Sequence, residues 1–544
     1  MEIKKHTLAL MFLFCSAFTH AQVSSSPGYV GTLFHRPSPP VQLPGPAHLE
    51  DFVKDGKLRL GLDDALLLTL ENNTDINVDR IQYDLSRFAL PRAYGIFDPS
   101  ITAGFSPTRS VSPTTSSLQG AATLSSLNQT TNVNYTQEFQ TGTMFGAGLI
   151  TTRSTSNSSF SIVNPSFFSG LTFSVGQPLW RKGGIFANRA PIMIAQRGIR
   201  QSQATFQAQV SDIVSRAINQ YWDVVEAHKN LDVIRKSVEL ADASYKRDKR
   251  ALELGALPPL EIYRSESQVA QRKIALIQAE YNLKRVEETF RQTIGADLDP
   301  RIGALDLDLT ENVESSSLAT VDLPDILNQA LKNRSELDAQ RQQLSIDDVN
   351  VRVANNNLKP DLNLSANYTS NGLGGVSFAN SAAGPVVISN GGFGDSVSQL
   401  AGFNFPTYGM SLQLRLPIRN RAAAADLGSA LVSKKNDLYK MRSLQQAISI
   451  EVKNAVHDLE QSELIMTAAQ ASRDLAAKTL SAEERKYQLG AGTIFFVLDA
   501  QNQLSAAELA LVQSQIAYRR ALTEVDHASG SLLAKHKVSI ASTP

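Results

Sequence analysis

The chain holds a single cysteine among 544 residues, Cys15. It falls in an opening segment laid out as a secretory signal: Lys4 and Lys5, an apolar run from Leu8 to Phe18, then Thr19-His20-Ala21 as a small-residue cleavage site. Removal of residues 1–21 as a signal peptide would leave no thiol, excluding disulfides, thiolate metal sites and cysteine catalysis. Phe12-Leu13-Phe14 also lacks the small residue that a lipoprotein signal sets beside its cysteine. Long apolar runs are missing as well. No later segment offers about 20 consecutive apolar residues, so spanning a membrane with helices is not expected. There is no excess of either charge: 52 Lys plus Arg balance 52 Asp plus Glu, which gives no basis for nucleic-acid binding. The eight histidines are scattered without ligand spacing, and the stretches Gly372-Leu373-Gly374-Gly375 and Gly391-Gly392 open no helix after a buried strand. With no cluster of nucleophile, base and orienting group, no enzyme, cofactor or metal centre is expected.

Charge is scarcest in two places. Between Ser100 and Trp180 the only charged residues are Arg109, Glu138 and Arg153; between Asp361 and Pro417 they are Asp361, Asp395 and Arg415. Within these stretches apolar residues alternate with Ser, Thr, Asn and Gly: Ile101, Ala103, Phe105; Leu171, Phe173, Val175; Leu362, Leu364, Ala366, Tyr368; Met410, Leu412, Leu414, Leu416. A period of two marks strands with one apolar and one polar face. An edge strand of a soluble sandwich has that pattern. So does a bilayer-spanning barrel, the closed sheet being the strand arrangement that satisfies every backbone group in lipid. Four strands are therefore predicted, joined in pairs by long loops at 106–170 and 369–407. The first loop has room for an extra hairpin within 132–151 that would either join the barrel or cap it. Trp180 fits an interfacial aromatic belt or a buried core.

The order of segments repeats. Leu62 to Val78 reads like Leu323 to Ala339, and Pro99 and Pro360 hold the same place 261 residues apart. Around the strands the period becomes helical. Ala190 to Leu254 and Asn420 to Leu489 read as helices of roughly 100 Å each, a length that points to coiled coil. Each turns at Leu-Gly, at Leu254-Gly255-Ala256-Leu257 and at Leu489-Gly490-Ala491-Gly492-Thr493, where glycine ends the helix. Return helices follow over 263–294 and 496–528. Their periodicity suits a hollow barrel of helices or a solid coiled-coil rod equally. The expected division is a signal peptide (1–21), an extended lead-in with little structure (22–61), a first repeat (62–295), an irregular acidic connector (296–322), a second repeat (323–530) and a tail (531–544).

With its two Leu-Gly tips, the segment Gly490 to Ala500 and the doubled helix, strand, strand, helix order, the chain resembles the TolC-like outer-membrane efflux proteins from about Leu62 to about Gly530. The resemblance implies a mixed α and β membrane protein: a long antiparallel coiled-coil α-barrel continuous with a transmembrane β-barrel shared between protomers, four strands per chain and twelve in a homotrimer. It implies an outer-membrane exit duct with its helical part in the periplasm, working with a periplasmic adaptor and an inner-membrane RND or ABC-type pump. By the same resemblance, Leu254, Gly255, Leu257, Leu489, Gly490, Gly492 and Thr493 stand at the adaptor-docking tips, and Asp499 matches an acidic residue of the entrance ring. Phe496 stands where a second acid is expected and Gly492 where some members carry arginine, so a single ring at Asp499 beside a Phe496 constriction is the expected entrance. An exported structural or adhesive coiled-coil protein without a channel is the alternative. A general diffusion porin would have no use for the long helices.

Overall fold

The computed structural model describes residues 43–115, 119–255, 259–311, 321–381 and 384–538. The expected signal peptide, the first half of the lead-in, Leu257, residues 312–320 of the acidic connector and the last six residues lie outside them. All contacts below fall within the unit that begins at Pro46.

In chain order, a 3-10 turn at Leu49–Phe52 leads into strands β1 (Val53–Lys54) and β2 (Lys57–Leu60), then helices α1 (Leu62–Asn72), α2 (Thr74–Arg87) and α3 (Ala89–Tyr94). Four strands follow, β3 (Ser100–Pro113), β4 (Thr123–Glu138), β5 (Met144–Ser156) and β6 (Val163–Pro178). The first helical hairpin is α4 (Ile185–Glu253) and α5 (Pro259–Ile294). A short α6 (Pro300–Gly303) and β7 (Asp306–Leu309) precede α7 (Leu323–Asn333) and α8 (Ser335–Asn357). Then come β8 (Asp361–Ser381), β9 (Gly384–Asn390), α9 (Phe393–Ala401), β10 (Phe405–Arg415), the second hairpin α10 (Arg421–Gln488) and α11 (Ile494–Ala528), and α12 (Leu532–Lys535).

The long helices α4 and α10 have 69 and 68 residues, about 100 Å each. Neither has an internal proline beyond Pro191 in the first turns of α4, so nothing interrupts their backbone ladders. At one level α4 packs on α5 and α11, and α11 on α10; at the other, α2 lies on α4, and α8 sits between α4 and α10. The helices thus form a row four wide.

The joints between levels are built alike. The break after α1 is Asn73, whose side chain caps α2 by accepting from the Asp75 and Ile76 N–H groups and donates to Thr293 O at 3.0 Å. Gly295 meets it with a positive φ of 72°, and its hydrogen face lies against Asn72. In the second half the break after α7 is Arg334, and Gly530, with φ 71°, comes against Asn333 and Arg334.

The lead-in and connector, expected to be loose, carry structure. β2 pairs in parallel with β7 across the register Lys57↔Asp306 to Leu60↔Leu309, and Leu58 and Leu60 are 1% and 0% exposed. They close a core with Val214, Tyr221, Phe290, Ile294 and Leu307. The Tyr221 hydroxyl donates to Leu60 O at 3.3 Å and accepts from Glu311 N–H at 3.2 Å; burial pushes its pKa up to about 12. The sequence hid this because four-residue strands carry too little periodicity and their partners are 249 residues apart.

The predicted long loops are also corrected. The strands run far beyond the alternating cores, and the sheet order is β10-β8-β6-β5-β4-β3, with β9 on β8. Every neighbouring pair is antiparallel. The hairpin β4–β5 stands inside the sheet between β3 and β6, so each chain offers six consecutive long strands and not four.

Candidate functional site

Two places carry chemistry that a duct would use: the faces of the sheet and the tips of the helical hairpins.

The register aligns side chains into rows, since directly opposed residues share a face. One row is Ile101, Tyr135, Ala147, Phe173, Tyr368 and Tyr408; the next is Ala103, Val133, Leu149, Leu171, Ser370 and Pro406. Toward the helices the same face continues as Phe145, Val175, Ala366 and Met410, then Leu364 and Leu412, then Leu362 and Leu414. Most of these side chains are half-exposed or exposed on the isolated chain. The opposite face carries Thr102, Asn134, Gly148, Thr172, Thr369 and Thr407 in one row, and Ser100, Thr136, Gly146, Ser174, Asn367 and Gly409 in another. Hydroxyls bridge strands there, Ser100 with Thr136 at 2.8 Å and Thr172 with Thr369 at 3.0 Å. Among the described residues no helix is long and apolar enough to cross a membrane.

Helix α9 covers the far end of the apolar face. Ser169 and Ser396 hydroxyls meet at 2.9 Å, Ser370 donates to Leu400 O, and Phe393 and Phe403 set their rings against Phe167 and Tyr368. Gly372 is required here, because a Cβ would stand 1.9 Å from Ser396 O.

At the tips, Gly255 and Gly490 both take positive φ, 77° and 74°. Behind Gly490 the chain makes a Schellman closure, with Gly490 N–H to Tyr487 O at 3.0 Å and Ala491 N–H to Lys486 O at 2.9 Å. Leu254 and Leu489 stand 84% and 83% exposed at matching places, with Gly492, Thr493 and Phe496 beside the second. Thr493 caps α11 from an extended backbone.

Asp499 and Phe496 are both exposed on the first turns of α11, but they face different grooves. Phe496 lies toward α10 with Glu483 and Lys486; Asp499 lies toward α5 with Tyr263, Arg264, Phe495 and Asn502. Gln503 Nε2 donates to Asp499 Oδ2 at 2.7 Å. Phe495, which the sequence reading passed over, meets Phe496 edge to face at 5.5 Å.

Sequence reading also missed the cross-links between the hairpins. Asn502 Oδ1 accepts from Gln268 Nε2 at 2.5 Å and from Arg272, tying α11 to α5. Burial lowers the Arg272 pKa. Higher up, Gln501 donates to Ser244, Ser505 and Ser237 share a bond at 3.2 Å, and Arg520 reaches Asp223 and Glu226 on α4. Burial raises the Asp223 pKa, with Arg520 opposing it. Contacts spanning more than 200 residues leave no local signal. Glu451, Glu524 and His527 offer ligand atoms within 4.8 Å of one another, but the Arg334 guanidinium already occupies Glu451.

Residues 326–531 match the family described as outer membrane efflux protein. Outer membrane protein TolC of Vibrio cholerae is 20% identical over 342 residues, covering 62% of this chain and 72% of its own. Among solved structures, the CmeC outer membrane channel of Campylobacter jejuni superposes with a TM-score of 0.60 at 16% identity, over 89% of this chain and 87% of that one. CusC, described for its transmembrane channel formation, gives 0.62 at 15% identity over 91% and 98%. The chain therefore shares the mixed α and β fold of these outer membrane channels, and its second half matches the outer membrane efflux protein family.

Proposed function

We propose that three copies of this chain form the exit duct of a tripartite efflux or type I secretion system, conducting substrates passively from periplasm to exterior. A periplasmic adaptor docks at the tips around Leu254, Gly255, Leu257, Leu489, Gly490, Gly492 and Thr493, and an inner-membrane RND or ABC-type pump supplies the energy. The observation that carries this reading is the two-faced sheet. One apolar row, Ile101 to Tyr408, runs across all six strands and the next is interrupted only at Ser370, while mainly Ser, Thr, Asn and Gly line the other side, the division between lipid and water that a barrel wall needs.

Assembly is supported by the two ends of the helix row. Val78, Ile81, Leu85 and Phe88 make an exposed stripe on α2, and Val432, Tyr439, Ile450, Leu464 and Leu475 are exposed along α10. A monomer would leave both in water; a threefold ring sets the upper part of α10 against α2 of the next copy and the lower part against its α5. Repetition of both the helical row and the sheet then gives an α-barrel beneath a shared β-barrel. Opening is conformational: adaptor binding parts the hairpins where Gln268 and Arg272 hold Asn502, and widens a constriction formed by Asp499 and Phe496.

In planar bilayers, Asp499→Asn should lower cation over anion preference, and Phe496→Ala should raise single-channel conductance. Unchanged values for both variants in a conducting trimer would remove these residues from the entrance. A soluble, non-conducting protein would instead favour the structural coiled-coil reading.

A further inference from the structure

From the place of the β4–β5 hairpin we infer that the outer-membrane wall of the trimer is an eighteen-stranded barrel, closed by pairing β3 of one copy with β10 of the next. This inference rests on the trimeric-duct reading and specifies the width of its outer section.

Four observations carry it. The hairpin is integral to the sheet, paired along 14 residues with β3 on one side and along 11 with β6 on the other. It continues both faces: Tyr135, Val133, Ala147 and Leu149 fill the apolar rows, while Asn132, Asn134, Gly146 and Gly148 fill the polar ones. Polar packing is specific there, since Asn132 lies over Gly104 and Asn134 over Gly148, where an added Cβ would meet their Oδ1 atoms at 2.7 and 2.8 Å. Finally, six is an even number. β3 leads away from the helices and β10 leads back to them, so the free edges of adjacent copies meet antiparallel and the alternation continues round the ring.

The stagger agrees with closure. Following one row across the chain, Ile101 at the base of β3 ends opposite Tyr408, whereas the base of β10 is at Leu414 and Arg415. Setting Ile101 of the next copy beside Leu414 keeps both on the apolar face and shifts the register six residues per chain. Three such shifts over eighteen strands correspond to a strand tilt of about 35°, within the usual barrel range. The backbone radius is then roughly 17 Å, against roughly 13 Å for twelve strands carrying the same stagger. The lumen through the membrane is therefore lined by Ser, Thr, Asn and Gly and is wide enough that selection falls to the periplasmic tips.

The test is electron cryomicroscopy of the full-length protein extracted from outer membranes in detergent, together with a double variant, Ile101→Cys with Leu414→Cys. Expected are a trimer with eighteen strands and a disulfide-linked trimer on non-reducing gels. Excision of residues 114–156 would set Ile101 beside Phe173 on the same face, and should yield a trimer of twelve strands with a barrel about one quarter narrower. A full-length trimer showing twelve strands with the hairpin outside the ring, or a barrel of the same diameter after excision, overturns the inference and leaves the duct reading intact. A monomer or a solid helical rod overturns both.

Discussion

Arg334 is a charge placed where few charges are tolerated, 8% exposed at the break between α7 and α8. Its guanidinium forks twice, to both oxygens of Glu451 at 2.6 and 3.2 Å and to both of Glu336 at 2.8 and 3.1 Å. Burial works against its charge, but the hydrogen bonds and charges of Glu451 and Glu336 prevail and its pKa is raised. Since removing one partner strands the others, Arg334→Met should cost about 3–5 kcal/mol in denaturant unfolding. Next to it, His527 Nε2 lies 2.8 Å from Asp212. Burial lowers its pKa, yet the Asp212 hydrogen bond and the acidic surroundings leave it raised above 6.5, even with Arg334 opposing. The folded state therefore holds this proton more tightly than the unfolded chain does. Its contribution is complete below the unfolded pKa and fades as pH climbs through the folded one. Melting temperature should fall as pH rises above about 6.5, and His527→Gln should flatten that part of the profile. An unaltered slope in the variant would assign it to another group.

Among the elements, the strands make the sharpest prediction. Leu149 belongs to an apolar row and Thr172 to the polar face, although both sit in the middle of long strands. Leu149→Arg should destabilise the membrane-inserted fold by about 2–4 kcal/mol, read as loss of heat-resistant trimer on gels, while Thr172→Arg should leave assembly intact and alter conductance. What sequence could reveal follows from signal length. The long helices were legible, predicted at 190–254 and 420–489 and found at Ile185–Glu253 and Arg421–Gln488, because a 3.6-residue period repeats many times in each. The Leu-Gly tips were legible because glycine alone relaxes a positive φ at a helix end. β4 was legible only in its second half, as part of the extra hairpin expected within 132–151, because Gln129 and Thr131 dilute its apolar face between Leu127 and Val133. Of the proposed entrance, Asp499 and Phe496 could be pointed to by position, but their different grooves and the Asn502 link depend on which helix lies alongside.

For the whole molecule, the upper row of helices and the sheet end at the same two edges, α2 with β3 and α10 with β10, so in the proposed trimer one rotation about the threefold axis would complete both layers. Ile81→Asp together with Leu85→Asp should therefore shift detergent-solubilised protein from trimer to monomer in mass photometry; each lost apolar contact is worth about 1.5–3 kcal/mol. A trimer that survives both changes would place that stripe away from the seam. The parallel pairing of β2 with β7 bears on biogenesis. If the chain is exported N-terminus first, Leu58 and Leu60 precede by some 249 residues the strand that shelters them. Throughout that interval they remain sticky and uncovered, and closing so wide a loop costs entropy before any contact rewards it. Maturation along that route would thus have a built-in waiting period, in which the amino-terminal stretch is open to mispairing until β7 arrives.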